Sequence, residues 1–104
     1  MSNAVLLLST CPDAEVAAKI GRTLVEERLA ACVNRVAGVK SVYRWRDEIH
    51  EDAELLLLIK TTRERIEALR ARLVELHPYE VPELIALDIA GGHTSYLDWL
   101  CEQV

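Results

Sequence analysis

The sequence predicts an α+β domain with strands and helices in the order βαββαβ, followed by a short terminal helix. Three observations carry this: β-rich runs at Val5 to Thr10, Val33 to Arg46, Glu54 to Thr62 and Glu83 to Ile89; apolar stripes at spacings of three and four between them; and breaks at Pro12, Pro78 and Gly91-Gly92. At 104 residues the chain has room for one hydrophobic core and is expected to be a single domain.

Each element has a local reason. The first strand stops at Cys11-Pro12, and Asp13 follows as a helix N-cap with Glu15 in the first turn. Val16, Ala17, Ile20 and Leu24 then mark a helix expected to end near Ala31. Val39, Ser41, Tyr43 and Trp45 alternate with Lys40, Arg44 and Arg46, which makes the second strand one with unlike faces. The polar stretch Asp47 to Asp52 is expected to link it to the third strand as a long antiparallel hairpin. Ile66, Leu69, Leu73 and Leu76 stripe the second helix, which stops at His77-Pro78. Pro82 opens the fourth strand, and Ser95-Tyr96-Leu97-Asp98 has the form of a capping box for the last helix, with Trp99 and Leu100 inside it. Right-handed crossovers put both main helices on one side of a four-stranded sheet, which is the ferredoxin-like arrangement.

That arrangement leaves a problem in Leu55-Leu56-Leu57-Leu58-Ile59, where alternation points apolar side chains to both faces. Helices cover one face only. Leaving the other wet would forgo ~1.5 to 3 kcal/mol per side chain, against a whole-domain stability of ~5 to 15 kcal/mol. The second face is therefore expected to be buried against another copy of the chain, with the short terminal helix as a rival cover.

Composition narrows the function classes. Seventeen acidic against twelve basic residues leave a charge of -5, which disfavours a nucleic-acid partner. The longest apolar runs are five residues, far short of the ~20 that span a bilayer. The amino terminus, Met1-Ser2-Asn3-Ala4, shows no secretory signal, and a cytoplasmic setting is expected. Cys11, Cys32 and Cys101 form neither a disulfide framework nor a CxxC pair, and His50, His77 and His93 have no metal-helix spacing. A metal site would have to be assembled by the fold.

Several residues could carry chemistry. Cys32 sits at a helix-to-strand junction, where the helix C-terminus disfavours a reactive thiolate. His77-Pro78-Tyr79-Glu80-Val81-Pro82-Glu83 concentrates an imidazole, a phenol and two carboxylates beside two stiff prolines, which suits either a helix cap and turn or a ligand site. Tyr43 and Trp45 suit burial, an interface or ligand stacking. Lys60 ends an apolar strand and suits either a solvated head on a buried stem or an anion cleft.

Taken together, Ser9-Thr10-Cys11-Pro12, Leu29-Ala30-Ala31-Cys32-Val33-Asn34, Ser41-Val42-Tyr43-Arg44-Trp45, Ile59-Lys60-Thr61 and His77-Pro78-Tyr79-Glu80-Val81-Pro82-Glu83 resemble the CutA family, the divalent-cation tolerance proteins, over nearly the whole chain. The resemblance implies a ferredoxin-like homotrimer, PII-like in plan, whose long hairpins extend the sheets between subunits. It implies a binding protein rather than an enzyme, with copper or another divalent cation as its ion and none needed for folding. By the same resemblance the metal candidates are Cys32, His77 and, more weakly, Cys11. Tyr43, Trp45, Lys60, Tyr79 and Glu83 match positions that line the cleft between subunits. A different class is a PII-like signalling or scaffold module, with Lys60, Arg44 and Arg46 holding a small anionic effector. Acylphosphatases and RNA-recognition modules share the element order. The chain has neither the glycine-rich loop of the first, expected between Thr10 and Glu15, nor any Phe for base stacking.

Overall fold

A computed structural model describes residues 3–104. Met1 and Ser2, part of the amino terminus read above for a leader, lie outside the described residues. The elements are β1 (Ala4–Cys11), α1 (Ala14–Glu26), β2 (Cys32–Trp45), β3 (Glu48–Thr62), α2 (Ile66–Leu76), β4 (Ile85–Asp88) and α3 (Thr94–Glu102), with a single 3₁₀ turn leading into α2. The strands form one antiparallel sheet in the order β2-β3-β1-β4. β1 and β2 both run against β3 and are therefore parallel, so α1 serves as their crossover. The same holds for β3 and β4 with α2. This is the ferredoxin-like plan that the element order predicts.

Local chemistry explains most boundaries. Asp13 caps α1, its Oδ1 accepting the Val16 N–H at 2.9 Å. The helix ends at Glu26, five residues before the expected Ala31. Arg28 turns left-handed at φ 58°, and the Leu29 and Ala30 N–H groups both return to the Leu24 carbonyl. This folds Leu29 and Ala30 into the core instead of extending the helix. The hairpin link is also shorter than expected. Arg46 and Asp47 alone form the turn, with φ of 51° and 63°, and the polar residues from Glu48 onwards belong to β3. Strand pairing there rests on backbone hydrogen bonds, with Tyr43 opposite His50 and Ser41 opposite Asp52. Gly38, at φ 83°, sits in the register shift between Val36 and Val39. β4 is shorter than the expected Glu83 to Ile89. α3 starts at Thr94 with His93 as its cap residue, so the Ser95 capping box is not used.

The two sheet faces differ sharply. One carries Val5, Leu7, Cys11, Leu57 and Ile59, all buried against Ala17, Ile20 and Leu24 of α1 and Leu69 and Leu73 of α2. On the other, α3 seals one end by packing Leu100 on Ala4 and Ala31. Beyond that end Leu6 pairs with Leu87, Leu8 with Ile85 and Leu58, and Thr10 with Leu56. Leu6, Leu8, Leu56 and Leu58 are only partly buried, and Ile85 and Leu87 are about half exposed, at 50% and 48%. Part of this face is bare.

Candidate functional site

At the end of the bare face away from α3, the loop after α2 folds back across the sheet. His77 closes α2, its N–H donating to the Leu73 carbonyl at 2.9 Å. Its ring is buried and fully committed. Nε2–H donates to the Thr10 carbonyl at 2.8 Å, and Nδ1 accepts the Tyr79 N–H at 3.2 Å. The Tyr79 ring lies against the imidazole, 4.6 Å between centroids, and its hydroxyl donates to Glu54 Oε2 at 2.7 Å. Burial first, then that hydrogen bond, pushes the Tyr79 hydroxyl well above its ordinary range, so it stays a donor. Further along, the Ser9 hydroxyl donates to the Glu83 carbonyl at 2.7 Å and fixes the far end of the loop.

The loop and the hairpin flank an open cavity of about 520 Å³, whose lining includes Tyr43, Trp45, Tyr79, Glu54, Glu80 and Glu83. Tyr43 stacks on His50 with centroids 5.4 Å apart, and its hydroxyl donates to Asp52. That hydrogen bond above all raises the Tyr43 hydroxyl from its ordinary value. Arg46 lies over the Trp45 ring at 5.3 Å and holds Glu80 at 2.7 Å. Four of the residues expected to share a cleft, Tyr43, Trp45, Tyr79 and Glu83, thus meet in one cavity within a single chain. Lys60 is not among its walls. It contacts Asn34, six residues along β3 from Glu54, or ~20 Å of strand.

Glu54 is the wall residue that sequence reasoning passed over. A charge opening an apolar strand reads as solvated, yet Glu54 is only 7% exposed. The available signal was parity, because Glu54 shares its face with Leu56 and Leu58.

The three metal candidates lie apart. Cys11 points into the helix-covered core, fully buried, and its thiol is pushed up to about 11, first by burial and then by Glu54 and Asp13. Cys32 lies on the opposite face, partly exposed, with its thiol directed at Asn34 Oδ1 at 3.8 Å and with Tyr96 of α3 beside it. Cys32 pairs through Lys60 with Leu6, whereas His77 holds Thr10, four residues or ~13 Å further along β1. Within one chain these donors do not fit a copper centre, since no two of them converge and both His77 nitrogens are in use. Among the described residues, no group of three His, Cys, Asp or Glu side chains is placed to hold a metal ion.

Comparison with known proteins agrees with this architecture. The chain matches the family described as CutA1 divalent ion tolerance protein over residues 5–103. It is 57% identical over 97 residues to the divalent-cation tolerance protein CutA of Thermus thermophilus, covering 93% of this chain and 94% of that one. It is 44% identical over 96 residues to a protein named CutA, chloroplastic, of Arabidopsis thaliana, covering 92% of this chain but only 53% of that longer protein. The crystal structure of CutA from Xylella fastidiosa superposes with a TM-score of 0.95 at 45% identity, covering 98% of both chains. By sequence and by fold, the chain belongs to the CutA1 divalent ion tolerance protein family.

Proposed function

We propose that this chain assembles into a homotrimer through the bare part of its sheet and its β2–β3 hairpin, and that it takes up copper or another divalent cation, or a small ligand, between subunits in the service of metal homeostasis. The observation that carries the proposal is the bare face itself. Six apolar side chains, Leu6, Leu8, Leu56, Leu58, Ile85 and Leu87, lie on one surface beside an open cavity. Burial against sister copies would both satisfy that surface and close the cavity. The proposal is of a binding protein, with no catalytic step.

Of the three metal candidates, Cys32 is the one on the open face, so the copper form of the proposal places its thiol at a subunit boundary, with the other donors coming from a second copy. Among the described residues no helix is long and apolar enough to cross a membrane. A cytoplasmic setting belongs to the same proposal and is checked by cell fractionation. The signalling alternative, an anionic effector in the cleft, has less support. Lys60 stands outside the cavity, and Arg46 is tied to Glu80.

Native mass spectrometry of protein purified without added metal tests the assembly, and copper titration of wild type, Cys32→Ser and His77→Ala tests the site. The expected result is a three-chain species whose copper uptake is lost in Cys32→Ser and kept in His77→Ala. Unchanged uptake in both variants removes the thiol site, and a single-chain species removes the assembly.

A further inference from the structure

We propose that the cavity between the hairpin and the Tyr79 loop recognises a small organic cation, an ammonium or guanidinium group, held between aromatic faces and the Glu54 carboxylate. This rests on the reading that a small ligand of this protein lodges in that cavity, and it names the chemistry such a ligand would have.

The first support is Glu54. Its side chain is almost fully buried, one carboxylate oxygen takes the Tyr79 hydroxyl, and among the described residues no other donor reaches it. A carboxylate that accepts from one neutral hydroxyl has acceptor capacity left for a cationic donor. The residue lines the cavity, so that charge can come from within it.

The second support is the rest of the wall. Tyr43, Trp45 and Tyr79 supply three rings, Glu83 adds negative charge while that of Glu80 is already held by Arg46, and none of the wall residues is Lys or Arg. Rings of this kind attract organic cations through their faces and offer little to a bare metal ion. The Tyr43 ring is held in place by stacking on His50, and the Tyr79 ring by His77. The site is thus set before a ligand enters.

The third support is internal. Arg46 already shows the recognition expected of a ligand, with its guanidinium over the Trp45 ring at 5.3 Å and on the Glu80 carboxylate at 2.7 Å. A divalent metal would instead need several converging oxygens, and no three suitable side chains are grouped among the described residues. At about 520 Å³ the cavity is in the size range of small-molecule sites.

The test is isothermal titration of the full-length protein with tetramethylammonium chloride, against sodium chloride at matched ionic strength. Wild type is expected to bind the probe saturably, and Glu54→Gln to bind it about tenfold more weakly. Gln keeps an acceptor for the Tyr79 hydroxyl, so the loop should hold. Trp45→Leu, at the exposed end of the hairpin, gives an independent second variant and is expected to lose a comparable factor. Absence of saturable binding, equal binding by wild type and both variants, or complete displacement by magnesium chloride at matched ionic strength would each overturn the proposal. Subunit mass is read on the same samples. A trimer that ignores the probe sinks the ligand class and leaves the assembly standing. A single chain that binds it does the reverse.

Discussion

The same strands present leucines to both sides of one sheet, and the two sides have different fates. Leu7, Leu57 and Ile59 are fully buried under α1 and α2, while their immediate neighbours Leu6, Leu8, Leu56 and Leu58 remain partly open. Residue type does not separate them. What separates them is which side the crossover helices occupy, a choice fixed by handedness rather than by hydrophobicity. A strand that is apolar on both faces in a two-layer domain therefore points to a third layer, and in this chain α3 supplies only one end of it.

The comparison can be broken most severely on the open side. Leu58→Glu is expected to leave secondary structure intact by circular dichroism and to convert the assembly to single chains by light scattering. Retention of the wild-type mass would show that this face is not the contact. On the covered side, Leu57→Ala is expected to cost ~2 to 5 kcal/mol in denaturant melts, whatever the protein concentration. Leu58→Ala should cost stability only while the chains are associated, so its effect should fade on dilution. Equal, concentration-independent losses in both variants would erase the distinction between the faces.

A smaller effect comes from Cys11, on the covered side. Its folded-state thiol is raised from 9.0 to about 11, so between those values the unfolded chain has released a proton that the folded chain retains. Stability should be unaffected below pH 9 and should fall as pH rises through this window, by at most ~1.4 kcal/mol per pH unit. Cys11→Ala should show a shallower alkaline slope, measured by urea melts across that range. An unchanged slope would mean that the thiol does not titrate differently on folding. Least of all, Asp47→Gly should stabilise the hairpin by up to ~1 kcal/mol, because a non-glycine residue is strained in the left-handed region. Thermal melts that show a loss instead would mean the Asp47 side chain contributes more than its backbone strain costs.

How much of this was legible in the sequence depended on whether the signal was local. The Asp13 cap and the α2 stripe were readable because capping and helical spacing act within a few residues. The end of α1 was not, since Arg28 adopts its left-handed turn without a glycine to announce it, and the reversal is stabilised by Leu29 and Ala30 entering the core. Residues Glu48 to Asp52 looked like a loop because an arm exposed on both faces needs no apolar alternation, only a backbone partner. At the cavity, Tyr43, Trp45, Tyr79 and Glu83 could be grouped through resemblance. Glu54 needed the register of β3, which placed a charged residue under Tyr79. Lys60 shares that face but stands too far along the strand, a separation that only the strand length reveals.

Sedimentation velocity of the wild-type chain across a wide concentration range tests the central claim most directly. The bare face predicts a particle heavier than the 11.7 kDa chain at micromolar concentration, and the proposed homotrimer sets its mass at three times that value. A single-chain particle at every concentration would contradict it.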